Sequence, residues 1–131
     1  QVAFLEANPR AGAVFTEATL IDEVGYRFGK IRLPTGIVSQ KDGLYDFESI
    51  FKAVLKHSNF LICPSFMVRT KIYQEEIIVW REDKFGSSAD LDVWFRILQN
   101  HQLGHISKYL IQYRISNNQF SAKKYNHCIL D

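Results

Sequence analysis

Within "GSSADLDVWFRILQNH", Gly86 to His101, Asp90 and Asp92 are the two residues whose type and spacing best suit chemistry. By letters they form a D-x-D, the pattern that holds a divalent cation under a nucleotide diphosphate when it lies in a loop. Here Leu91, Trp94, Phe95 and Leu98 make one apolar stripe, which predicts a helix starting near Ser88. Residues two apart on a helix differ by roughly 200° around its axis, so the two carboxylates diverge and no metal is expected between them. Two other roles stay open for Asp90. With Ser87 as N-cap, "SSAD" reads as a capping box with Asp in place of the usual Glu. The same helix N-terminus would also keep a carboxylate ionised as a general base, ready to take a proton from a substrate hydroxyl in a cleft.

Other candidates carry weaker signals. His101 and His105 have the i, i+4 spacing of two zinc ligands, but "HQLGH" lacks the Glu of H-E-x-x-H and places Gly104 where a helix should end. They read as helix-end and loop histidines, as does His57. Cys63-Pro64-Ser65 has no G-x-S-x-G elbow around it, so a buried cysteine beside a strand break is expected. Trp80 and Trp94 are expected in the core, although aromatic faces beside carboxylates also suit a carbohydrate.

The elements that must position these residues follow from periodicity. Residues 1 to 8 read as a helix that ends at Asn8-Pro9, because the residue before proline is pushed out of the α region. "AGAVFTEATLID" and "YRFGKIRL" read as strands joined by a turn at Asp22-Glu23-Val24-Gly25. "PTGIVSQKDGLYD" reads as a long mobile loop. Phe47, Ile50, Phe51, Val54 and Leu55 recur with helical spacing after Asp46, a candidate N-cap. "FLICPSFMVRTKIY" reads as extended, with Pro64 implying an edge or a break. "LGHISKYLIQYRIS" reads as one or two short strands. This mixture favours an α/β class with a mixed sheet and flanking helices.

Composition sets outer bounds. The 131 residues are 47% hydrophobic and 23% charged, which suits one globular domain. A net charge of +2, with 16 basic and 14 acidic residues, leaves no basic stripe for nucleic acid, and Lys123-Lys124 is only a dipeptide. Cys63 and Cys128 match no C-x-x-C spacing, so neither a disulfide framework nor a structural zinc is expected and a reducing compartment fits. No run approaches the roughly 20 apolar residues of a membrane-spanning helix. Both ends read as cut: Gln1 stands within the last turns of a helix, and apolar residues still arrive at Ile129-Leu130.

Taken in order, four stretches resemble the second half of a family 2 glycosyltransferase catalytic domain of the GT-A type. "ANPRAGAVFTEATLIDEVG" is similar to the segment after the family's metal-binding motif, and "FLICPSFMVRTKIY" to the strand with a later arginine before the acceptor region. "FGSSADLDVWFRIL" resembles the family's E-D-x-D-L-W-x-R helix start, and "GHISKYLIQYRISNNQFS" the strand and loop that follow. The resemblance implies a partial GT-A fold, nucleotide-diphospho-sugar transferase-like, with residues 1–131 as one domain lacking the N-terminal nucleotide-binding half. It implies an inverting transferase in which Asp90 is the catalytic base for an acceptor hydroxyl, with Asp92, Trp94 and Arg96 supporting the helix that carries it. Arg69, Arg114 and Ser121 fall at substrate-binding positions.

The partners so implied are a nucleotide-sugar donor and a glycan or lipid-linked acceptor, used in cell-envelope polysaccharide synthesis. The implied setting is cytoplasmic, at the inner face of the membrane in the full-length protein. A divalent metal, Mg or Mn, is expected in the full-length enzyme and none in this piece, which alone should lack turnover. A sheet edge left open by the missing strands would be covered by self-association into a homo-oligomer. Two positions depart from the family pattern: Ala89 stands where an acid usually precedes the base, and Ser116 stands at the histidine of "YR.H". Both fit an alternative in which the chain is a non-catalytic binding or assembly module.

Overall fold

The computed structural model describes residues 1–34 and 42–117. Its helices are α1 (Val2–Ala7), α2 (Phe47–His57), α3 (Thr70–Ile72), α4 (Glu82–Phe85) and α5 (Ala89–Leu98). Its strands are β1 (Ala11–Ile21), β2 (Arg27–Ile31), β3 (Gly43–Tyr45), β4 (Met67–Val68) and β5 (Gln102–Arg114). Short 3-10 turns lie at Cys63–Ser65 and Gly86–Ser88, and a π turn at Tyr73–Ile77.

The strands form one mixed sheet in the order β2-β1-β5-β3, with β4 also paired to β1. β1 and β5 are parallel, and the remaining pairs are antiparallel. This is the mixed α/β sheet with flanking helices expected from the sequence. β1 is buried without a break from Ala11 to Ala18, as a strand covered on both faces must be. On one face Ala13, Phe15 and Leu103 pack with Ile50 and Ala53 of α2 and Val93, Trp94 and Ile97 of α5. On the other, Ala11, Val14 and Ile106 meet Leu5 of α1.

Two glycines set how closely the helices approach. A Cβ on Gly12 would stand 2.7 Å from Ile97 Cγ2, and one on Gly104 would stand 2.3 Å from a Phe4 ring carbon. Gly12 therefore admits α5 and Gly104 admits α1. The β1–β5 register also slips at Thr16/Glu17 and Glu17/Ala18, where β5 carries extra residues. Such bulges sharpen local twist and curl the sheet.

Local signals operate as the sequence suggests in several places. Asp46 caps α2 by accepting from the Ser49 backbone N–H at 2.9 Å. The turn between β1 and β2 closes on Asp22 Oδ1, which accepts from the N–H groups of Val24 (3.0 Å) and Tyr26 (2.8 Å). Gly25 there has φ +93°, open to glycine at little cost.

Elsewhere the structure corrects the sequence reading. Within the expected loop, Gly43–Tyr45 is a strand, drawn into the sheet by pairing with Leu103–His105; residues 35–41 lie outside the described residues. The stretch around Pro64 is extended only at Met67–Val68, because Pro64 opens a 3-10 turn and Thr70 starts a helix. The last segment is one strand of 13 residues rather than short pieces. Among the described residues no helix is long and apolar enough to cross a membrane.

Candidate functional site

α5 begins one residue later than the capping-box register requires. The preceding 3-10 turn brings Ser88 to the N-cap, where its side chain makes no capping bond, and Asp90 becomes the second helical residue. One Asp90 carboxylate oxygen accepts from the neighbouring Leu91 N–H at 2.8 Å. The helix start therefore still supplies a donor to this acid, through a different register.

Asp90 is half-buried and lines a cleft of about 300 Å³ with Cys63, Trp80, Glu82, Gly86 and Ser87. Burial raises its pKa above the ordinary aspartate value and outweighs the backbone hydrogen bonds that lower it. Its carboxylate is thus more basic than one in water. Beside it the Cys63 thiol is pushed up to about 11, first by burial and then by the charge of Asp90. Cys63 is a protonated wall of the cleft and no nucleophile. Ser65 is likewise structural: its hydroxyl donates to the Ile62 carbonyl at 2.8 Å and accepts from the Thr16 N–H at 3.2 Å.

Asp92 is not part of the described cleft lining. Its carboxylate pairs with Arg96 at 2.8 Å and with Arg81 at 3.4 Å. Arg96 also donates to the carbonyls of Ile77 (2.6 Å) and Val79 (2.9 Å). Asp92 and Arg96 together hold the chain between the π turn and Trp80. A cation shared by Asp90 and Asp92 does not fit this geometry, since Asp92 already faces two arginines. Among the described residues no three His, Cys, Asp or Glu side chains gather into a metal-holding group. Trp94 is a core residue, stacked on Phe66 with ring centroids 3.7 Å apart and planes 7° from parallel.

The remaining predicted positions are not brought to Asp90. Arg69 donates through Nε to the Ala11 carbonyl at 2.8 Å and through Nη2 to the carbonyls of Leu5 (2.6 Å) and Asn8 (3.3 Å). It satisfies the open C-terminal end of α1 and ties it to β1. Arg114 donates to the carbonyls of Asp22 (2.6 Å) and Glu23 (2.8 Å) at the turn between β1 and β2. Ser116 lies beside that turn in a second cleft of about 310 Å³, with Asp22, Glu23, Val24 and Asn117. Ser121 lies outside the described residues, as does Cys128. Ala89 is buried in the wall of the first cleft.

His101 follows α5, and its Nε2 lies 2.7 Å from Glu76 Oε1. His105 is not a loop residue: it sits within β5 at 2% exposure, against the rings of Phe15 and Tyr45. The sequence reading missed Trp80 as a cleft residue and Tyr73 as its partner. The Trp80 indole N–H donates to the Tyr73 hydroxyl at 2.6 Å. The available signal was a tryptophan outside every apolar stripe.

Compared with protein-family models, with curated proteins and with solved structures, the chain matches none.

Proposed function

We propose that this chain is the acceptor-side part of a GT-A-type glycosyltransferase, with Asp90 as the general base that deprotonates an acceptor hydroxyl. The observation that carries this reading is one half-buried carboxylate, made more basic by burial, opening into a cleft at the start of α5. A base of this kind needs a pKa moved toward the working pH and a hydroxyl within hydrogen-bond reach. The resemblance of "FGSSADLDVWFRIL" to the family's catalytic helix supports the same role for the same residue. In the full-length protein a nucleotide-sugar donor and a glycan or lipid-linked acceptor would meet here, at the cytoplasmic face of the membrane. The Mg or Mn of such an enzyme would belong to the donor-binding half.

A second reading is a non-catalytic assembly module of the same fold. It is favoured by Arg69 and Arg114, whose guanidinium groups are engaged by backbone carbonyls. Steady-state transfer from a nucleotide-sugar, measured on the full-length polypeptide, separates the two readings. The enzyme reading expects transfer that Asp90→Asn lowers by about 10² to 10⁴-fold and Asp92→Asn lowers far less. Absence of transfer from the intact polypeptide across a panel of nucleotide-sugars supports the module.

A further inference from the structure

We propose that Trp80, held by Tyr73, is the stacking platform of the Asp90 cleft and selects a neutral pyranose ring as acceptor; this rests on the acceptor-site reading above.

Three observations converge on it. The first is that the indole is fixed in place. Its N–H is tied to the Tyr73 hydroxyl at 2.6 Å, yet the residue keeps 39% of its surface exposed. A partly exposed tryptophan that lines the cleft and has its polar end anchored offers apolar ring surface to a ligand there at small entropic cost.

The second is that the fold specifies the position of the segment carrying it. Ile78, just before Val79 and Trp80, has φ +56°, a strained value for a β-branched residue. Such strain persists only where the surroundings over-determine it. Here α5 and the residues after it supply three ties. Arg96 bonds the carbonyls of Ile77 and Val79, Asn100 donates to Glu76 at 3.2 Å, and His101 pairs with the same carboxylate. The helix that carries Asp90 in its first turn, with the residues just after it, therefore also sets where Trp80 stands.

The third is the charge and size of the cleft. Its described lining carries the acids Asp90 and Glu82 and neither Lys nor Arg, so it disfavours a phosphorylated ligand. At about 300 Å³ it lies at the small end of ligand sites, enough for one sugar ring. A pyranose suits both walls. Its C–H face is electropositive and meets the π face of the indole, while its hydroxyls donate to the carboxylates.

The test uses the two tryptophans of the chain, whose indole N–H signals report separately by NMR. Methyl pyranosides of gluco, galacto and manno configuration are titrated, with a nucleoside diphosphate as the anionic comparison. The expected result is that at least one pyranoside shifts the Trp80 signal and leaves that of the core Trp94 in place. Read from the backbone amide signals of the cleft residues Gly86, Ser87, Ala89 and Asp90, which both variants keep, Trp80→Leu should weaken that binding about tenfold, and Tyr73→Phe several-fold. An unchanged Trp94 signal certifies the fold of each variant. The proposal is overturned if no pyranoside moves the Trp80 signal, if the nucleoside diphosphate binds there more tightly than any sugar, or if Trp80→Leu binds as wild type does. The base assignment fails separately: Asp90→Asn that still transfers sugar removes the base, while a sugar-induced Trp80 shift in that variant retains the platform.

Discussion

Acid should destabilise this fold through His105 before its surface carboxylates titrate. The imidazole sits in β5 at 2% exposure, its ring 5.0 Å from that of Phe15 and 6.5 Å from that of Tyr45. Neither ring nitrogen has a hydrogen-bond partner among the described residues. The Glu17 carboxylate stands 3.9 Å away, too far for a hydrogen bond, and the negative charge of Asp42 favours protonation only weakly. Burial dominates and pulls the pKa down from 6.5 to about 4.

The unfolded chain therefore takes its proton near pH 6.5 while the folded chain resists until about pH 4. The stabilisation is fully present above 6.5 and is lost as pH falls across that window. Two and a half pH units at 1.36 kcal/mol each give about 3 kcal/mol in all, with about 2 kcal/mol gone by pH 5. Asp46 and Glu76 are both held below their ordinary values of 3.8 and 4.5, so their losses fall lower in pH. Urea unfolding followed by tryptophan fluorescence at pH 7, 6, 5 and 4 reads the slope, and His105→Phe should remove most of it above pH 5. A flat wild-type profile between pH 7 and 5, or an equal slope in His105→Phe, refutes the reasoning.

Two further outcomes follow from the site. Arg96→Ala removes both donors to Ile77 and Val79 and leaves Asp92 with Arg81 alone; it should cost about 2 to 3 kcal/mol and speed amide exchange at residues 77–80, whereas exchange there equal to wild type would contradict the anchoring role. Asp90→Asn removes a carboxylate that burial disfavours when ionised, so at neutral pH it should raise the thermal midpoint; a lowered midpoint would show that the Asp90 charge stabilises the fold.

What could be read from the sequence was local. The Asp46 cap, the Asp22–Gly25 turn and the end of α1 before Pro9 each depend on residues within four positions of one another. The divergence of Asp92 from Asp90 also followed from helix geometry alone. What escaped depends on distant partners. Gly43–Tyr45 has no strand signal of its own and becomes one by pairing with β5 some 60 residues later. Arg69 reaches carbonyls 58 to 64 positions away, and Arg114 others more than 90 away, so neither role shows in spacing. His105 reads as polar, and only the cover of Phe15 and Tyr45 makes it a core residue. Trp80 belongs to no periodic stripe; its place comes from a strained turn that α5 pins.

The most direct test of the central claim is single-turnover sugar transfer by the full-length polypeptide, with donor bound and acceptor saturating, in wild type and Asp90→Asn. Saturation removes differences in binding and leaves the chemical step. If Asp90 takes the proton from the acceptor hydroxyl, the rate in Asp90→Asn falls by about 10² to 10⁴-fold. A rate in Asp90→Asn within a few-fold of wild type would contradict the account.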